Sequence, residues 1–300
     1  MKKNLLSIAL LSSTLFTNSA SAFTVYQKDN FTWSLKGDFQ IQIRQRAGAD
    51  EDLFVDNDDA ELKNTFKYKL GENLKAFAQA DFDLENEELE EAYIGFGFSG
   101  AKIILGQTDL PTDDFGHEAQ YEGSSFEDAF NATADESDNQ LRFEYEFGST
   151  SFAVSTDIED PAEPDEDGDG QAEIDVNVIT EFGNFDLGFA YQRFQPDAAS
   201  DSIDTYGVAF GGKVGAFKFG IDYSDSDILE VLHLVTKYKV GKTTFATGYE
   251  VATEEATDID SWYVNATYKF NKNVSILGEV HNTDEDDSDA GFLVGARVKF

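Results

Sequence analysis

From Phe31 to its last residue, Phe300, the chain alternates apolar with polar residues in segments of about ten. A period of two belongs to β-strands. In the first segment Phe31, Trp33, Leu35, Phe39, Ile41 and Ile43 share one face; Thr32, Ser34, Lys36, Asp38, Gln40, Gln42, Arg44 and Arg46 share the other. Later segments put Lys63, Lys67 and Lys69, Glu144 and Glu146, Glu173 and Asp175 on that second face. Inside a dry core such groups would cost several kcal/mol each if left unpaired. A barrel of about sixteen strands is wide enough to hold water there instead, with the apolar face turned to lipid.

Counting by alternation gives about sixteen strands: 31–46, 59–70, 74–84, 89–98, 101–107, 139–147, 151–158, 172–182, 185–194, 203–214, 216–224, 228–240, 243–252, 261–270, 274–283 and 290–300. The connections alternate in length. Tight turns rich in Gly and Asn, such as Gly71-Glu72-Asn73 and Gly183-Asn184, lie at one end. Longer acidic loops, such as 159–171 and 284–289, lie at the other. Short periplasmic turns and long outer loops are the habit of transmembrane barrels. Trp33, Tyr68, Phe98, Phe147, Phe182, Tyr268 and Phe270 fall near strand ends, where interface rings belong.

Residues 1–22 carry Lys2 and Lys3, an apolar stretch from Leu5 to Phe16 and the small-residue end Ala20-Ser21-Ala22. They predict a secretory signal peptide cleaved after Ala22, leaving 23–300 as one barrel domain. Beyond the leader no apolar run approaches the roughly 18 residues of a spanning helix. A membrane protein of this sequence must therefore be a closed sheet. There is no cysteine, so disulfide and thiol chemistry are excluded. The net charge is −37, and loss of Lys2 and Lys3 makes it two units more negative. Such a field repels nucleic acid and attracts cations. Solvated acidic loops in a salty habitat explain it equally well.

Residues 108–136 break the rhythm. A stretch this long without strand pattern is usually functional or disordered. It holds Phe115, Tyr121, Phe126 and Phe130, too many aromatics for a flexible tail. Folded inward, it would bring Asp109, Asp113, Asp114 and Glu118 into the lumen; as an outer cap it would never enter the pore. Physics alone leaves both open.

At particular residues the chain resembles the general Gram-negative porins. Leu70-Gly71-Glu72-Asn73-Leu74-Lys75-Ala76-Phe77-Ala78-Gln79 is similar to a hairpin of that family, and Ala92-Tyr93-Ile94-Gly95-Phe96 followed by Ile104-Leu105-Gly106-Gln107 resembles the run before its third loop. Leu35-Lys36-Gly37 and the closing Phe300 also match. The resemblance implies a trimeric sixteen-strand barrel in the outer membrane, delivered by barrel-assembly machinery and in contact with lipid and lipopolysaccharide. Its third loop would fold inward to form a constriction with Asp109, Asp113, Asp114, Phe115 and Glu118. The implied pore wall comprises Lys36, Asp38, Arg44, Lys63, Lys67, Lys75, Gln107, Asp138 and Arg142. Gln107 and Asp138 stand where the family has Arg, and Asp38 where some members have Lys. Cation preference is therefore expected.

Asp165, Asp167 and Asp169, with Gly170, resemble the opening of a calcium loop, but Val176 stands where the closing Glu belongs. No other cofactor is expected, beyond Ca²⁺ or Mg²⁺ at acidic outer loops. His117, His233 and His281 share no metal-ligand spacing and follow no nucleophile elbow, so no enzyme is expected. The leading expectation is a passive channel for small hydrophilic solutes and ions. The alternative is a substrate-specific or adhesive barrel with little open pore, for which an aromatic slide would argue; only Phe77, Tyr93 and Tyr263 face inward by alternation.

Overall fold

The computed structural model describes residues 22–48, 51–123, 126–158, 170–197, 199–254, 257–284 and 288–300. Residues 1–21 of the expected leader and the calcium-loop residues Asp165, Asp167 and Asp169 lie outside these. The strands are β1 (Phe23–Lys28), β2 (Phe31–Gln45), β3 (Phe54–Lys69), β4 (Leu74–Asp83), β5 (Glu88–Phe98), β6 (Ala101–Asp109), β7 (Glu136–Phe147), β8 (Thr150–Asp157) and β9 (Gln171–Phe182). They continue as β10 (Phe185–Gln195), β11 (Ile203–Val214), β12 (Phe217–Asp225), β13 (Leu229–Val240), β14 (Thr243–Glu254), β15 (Thr257–Lys269), β16 (Val274–Thr283) and β17 (Gly291–Lys299).

From β2 to β17 each strand pairs antiparallel with the next, and β17 pairs with β2 from Lys299↔Asp38 to Phe292↔Gln45. The sixteen strands form a closed barrel. Alternation did not reveal β1, a six-residue strand that pairs with the lower part of β2, from Lys28↔Phe31 to Phe23↔Leu35. It is too short to show a period of its own. Alternation also started β3 five residues late, because Asn57, Asp58 and Asp59 sit at a register slip opposite Gln40 and Ile41.

Burial is inverted relative to a soluble protein. Ile41, Ile94, Phe189, Val264 and Val294 are each about half exposed or more, at 57%, 53%, 53%, 51% and 63%. Gln40, Asp81, Gln140, Asp175 and Gln192 are fully buried at 0%. Apolar rows point outward from a closed sheet, so the backbone groups of the spanning strands are paired before they meet lipid. Near the short turns, rings overlap from strand to strand: Phe182 with Phe185 at 6.0 Å, Phe185 with Phe210 at 6.0 Å and Phe217 with Tyr238 at 4.6 Å. These form the expected interface belt. The turns themselves are tight because Gly183 (φ 69°) and Gly241 (φ 59°) adopt the left-handed region that hairpin twist demands.

Candidate functional site

β6 ends at Asp109 and β7 begins at Glu136. The Leu110 N–H donates to the Asp135 carbonyl at 2.6 Å, so the excursion leaves and returns at one point. Pro111–Asp114 makes a single 3-10 turn, with Pro at a position that has no N–H to lose.

Four carboxylates on the polar rows of the wall hold this segment. Asp175 on β9 accepts the N–H of Thr112 at 2.9 Å and its hydroxyl at 2.5 Å. Asp222 on β12 accepts the N–H of His117 at 2.9 Å and faces its Nδ1 at 2.5 Å, while Nε2 meets Asp186 of β10 at 2.7 Å. Glu279 on β16 accepts the consecutive N–H groups of Tyr121 and Glu122, one on each oxygen, at 2.8 and 2.9 Å. Bonds to charged acceptors are roughly twice as strong as neutral ones. Further along, Glu122 reaches β2, where Arg44 and Gln42 contact it. On the return, Ala129 N–H donates to Ser224 at 2.8 Å and Gln192 donates to the Ala134 carbonyl at 2.8 Å. The segment thus lies against the polar face from β9 round to β2.

Small wall residues make room for it. Phe115, 3% exposed, packs with Phe130 (ring centroids 5.2 Å), Ala190 and Ala209, over Gly207, where a Cβ would lie 2.6 Å from the Phe115 ring. His117 lies in a notch between Gly211 and Gly220, which face each other across β11 and β12; a Cβ on either would collide with the imidazole. Phe126 and Ala129 rest on Leu229, Val231 and Ala252. Burying an aromatic ring is worth about 1.5–3 kcal/mol, so Phe115 contributes as much as one of the charged latches.

The expected constriction residues therefore divide. Asp113, Asp114 and Glu118 are exposed, and Asp109 is half-buried, its carbonyl taking a hydrogen bond from Arg142 at 2.8 Å. Phe115 does not line open water as expected: it is an anchor under the segment. Burial, and then the neighbouring Asp109, Asp114, Asp135 and Asp128, push the Asp113 carboxyl up to about 8 although it reaches water. Burial, then Glu127, Asp128 and Asp113, raise Glu118 well above the usual range. Burial also takes Asp128 to about 7 and raises Asp114 despite Arg142. For His117 burial acts downward, yet the carboxylates of Asp222 and Asp186 outweigh it and its pKa is raised.

The wall cations pair with carboxylates of the wall and of the segment. Arg44 bridges Asp56 (2.6 Å) and Glu122; Lys63 bridges Asp81 (2.6 Å) and Glu91 (3.2 Å); Arg142 meets Glu144 (3.1 Å) and Asp114 (3.9 Å). Asp38 departs from its expected role. It is 3% exposed and held by a two-pronged bond from Arg297 (2.8 and 2.7 Å) and by Lys299 (2.6 Å), so it presents no free charge. The alternation of the last strand puts Arg297 and Lys299 in its polar row, the one signal by which they could have been found. Gln107 leaves the pore wall altogether: it pairs with Ala92 in the outward row of Ile94 and Leu105, beside a slip at left-handed Gly106 (φ 131°). Lys36, Lys67 and Lys75 keep their polar row, the last with Nζ 5.9 Å over the Phe77 ring. Asp138 stays exposed, in the row of Gln140 and Arg142.

Among the described residues two carboxylate groups could hold a divalent ion, Asp56/Asp58/Glu122 and Glu61/Asp81/Glu90, the oxygens of each within 4.8 Å of one another. Arg44 and Lys63 already supply positive charge there. No aromatic slide forms among the described residues. Phe77 and Tyr93 meet edge to face at 6.3 Å, while Tyr263, 1% exposed, is covered.

The family profile described as Gram-negative porin matches residues 7–288. Porin-like protein H of Photobacterium profundum is 26% identical over 332 residues, covering 100% of each chain. Among solved structures, the trimer form of in-vitro folded OmpT, an outer membrane protein of Vibrio cholerae, superposes with a TM-score of 0.76 at 17% identity, over 91% of this chain and 100% of that one. The anion-selective porin from Comamonas acidovorans gives 0.73 at 14% identity, over 90% and 100%. At these identities the structural likeness speaks for the fold alone.

Proposed function

Because this chain belongs to the Gram-negative porin family, and so forms an outer-membrane channel for passive diffusion of small hydrophilic solutes and ions, we propose that its 108–136 segment narrows the lumen and makes it prefer cations. Family and fold point to a channel rather than an enzyme.

One observation carries the cation preference. Arg44, Lys63, Arg142 and Arg297 on the wall are each engaged by carboxylates, whereas Asp113, Asp114 and Glu118 on the segment stay exposed. Among the described residues only Asp114 of these three has a wall cation within 4.0 Å, Arg142 at 3.9 Å, so a permeating ion meets excess negative charge at the segment and largely compensated charge opposite it. The name of the Comamonas porin belongs to that protein; a shared barrel does not fix the sign of selectivity, because selectivity resides in side chains.

Replacing the three acids together, Asp113→Asn, Asp114→Asn and Glu118→Gln, tests this in planar bilayers. The reversal potential in a salt gradient should move toward zero. An unchanged potential would place selectivity elsewhere.

Three further elements belong to the proposal. The mature protein begins at Phe23, which N-terminal sequencing of outer-membrane material checks. It assembles as a homotrimer, a reading supported by the trimer form of the similar OmpT; heat-dependent gel mobility checks it. Acidic outer loops bind Ca²⁺ or Mg²⁺ and through them lipopolysaccharide phosphates.

A further inference from the structure

Every lysine from Lys28 onward lies in the strand halves and turns at the short-turn end of the barrel, while the acids crowd the long-loop end. On β11, β12, β13 and β15 these lysines are on the inward rows. Lys213 is two residues beyond Gly211, and Lys218 two before Gly220, the two glycines beneath His117; Lys237 and Lys239 follow His233 in its row, and Lys269 follows Tyr263 and Asn265. Lys213 is directly opposite Lys218, and Lys218 directly opposite Lys237. The same arrangement recurs at Lys36↔Lys63 and Lys69↔Lys75.

Like charges directly opposite on an antiparallel pair are destabilising. Asp38 and Glu144 relieve Lys299 and Lys102. Lys213, Lys239 and Lys269 face no carboxylate within 4.0 Å among the described residues. Glu144, Glu146, Glu181 and Asp186 stand at this end on β7 to β10, and in the β11–β15 sector Lys237 donates to the Glu118 carbonyl of the segment.

We propose that the β11–β15 sector of the inner mouth is a binding site for multivalent oxyanions of the oligophosphate class. Lys213, Lys239 and Lys269 stand on alternate strands, β11, β13 and β15, each about 10 Å from the next, two inter-strand spacings. That matches the reach of a short phosphate chain. Ammonium groups bind phosphate as point charges and do not need the planar geometry of a guanidinium. The row points away from lipid, so the ligand is a solute and not a headgroup. This site goes beyond the cation preference proposed above. The segment acts at the narrow zone, and the lysines at a wider mouth that salt screens over about 8 Å.

The probe is sodium tripolyphosphate in planar-bilayer recordings, added to one side at a time at constant ionic strength. The chain has no cysteine, so an Asn184→Cys variant and an impermeant thiol reagent identify the short-turn side. Tripolyphosphate should reduce the current from that side and not from the other, and orthophosphate should not substitute for it. The variant Lys213→Gln/Lys239→Gln/Lys269→Gln should raise the half-blocking concentration by about tenfold or more, as the loss of three partial ion pairs implies. The corresponding triple Lys→Arg variant should retain block. Block equal from both sides, equal block by orthophosphate, or a Gln variant as sensitive as the parent would overturn the proposal. The sign of the reversal potential in plain KCl reads the cation preference separately, so either idea can fail alone.

Discussion

Gly37 and Phe300 close the barrel. Each donates its N–H to the other's carbonyl at 2.9 Å, and the Phe300 ring lies where a side chain on Gly37 would have to be. The ring also stacks on Phe39, centroids 6.3 Å apart at 17°. First strand and last residue are thus locked by backbone and ring together. Gly37→Val should force that ring outward and lower barrel stability by about 1–3 kcal/mol, the usual cost of overpacking. Urea-dependent folding in detergent, followed by tryptophan fluorescence, reads the shift.

Phe115→Ala should free the segment without unfolding the barrel. Truncating a buried Phe costs about 3–5 kcal/mol, and here the packing removed is that between segment and wall. Gel mobility of the folded barrel should be unchanged. Single-channel records should show a larger, noisier conductance.

His117 makes the hold on the segment depend on pH. Its imidazole lies between Asp222 and Asp186, and its folded pKa lies above the ordinary 6.5. The charged form therefore contributes fully below 6.5, and that contribution is lost as pH rises through the raised value. Current fluctuations should increase on the alkaline side. His117→Gln should remove the difference between acid and alkaline records.

The acids of the segment act in the same direction on stability. Asp113 at about 8, Asp128 at about 7 and the raised Glu118 bind protons that the unfolded chain would release, so the segment is held less well as pH rises through that window. Their effect on transport follows charge: cation preference should be strongest near pH 9 and decline toward pH 5. The Asp113→Asn/Asp114→Asn/Glu118→Gln variant should show a flatter profile of reversal potential against pH.

Alternation carried the barrel because a strand between lipid and water must repeat every two residues. It fails where the backbone departs from that repeat: at β1, too short to show a period, and at the slip near Asp58. Gln107 came to the wall by resemblance alone; alternation keeps it in the outward row of Leu105, where the structure has it. The exposed acids Asp113, Asp114 and Glu118 were visible as a cluster within 108–136. Which wall acids hold that segment was not, since Asp175, Asp222 and Glu279 lie 63, 105 and 157 residues from their partners. The glycine notch for His117 was also hidden, because Gly211 and Gly220 have meaning only once β11 and β12 are in register.

The most direct test of the central claim is the reversal potential of the unmodified channel across a tenfold KCl gradient at pH 8. Exposed acids on the segment facing a paired wall predict the sign set by potassium. A potential of the opposite sign, set by chloride, would contradict the account.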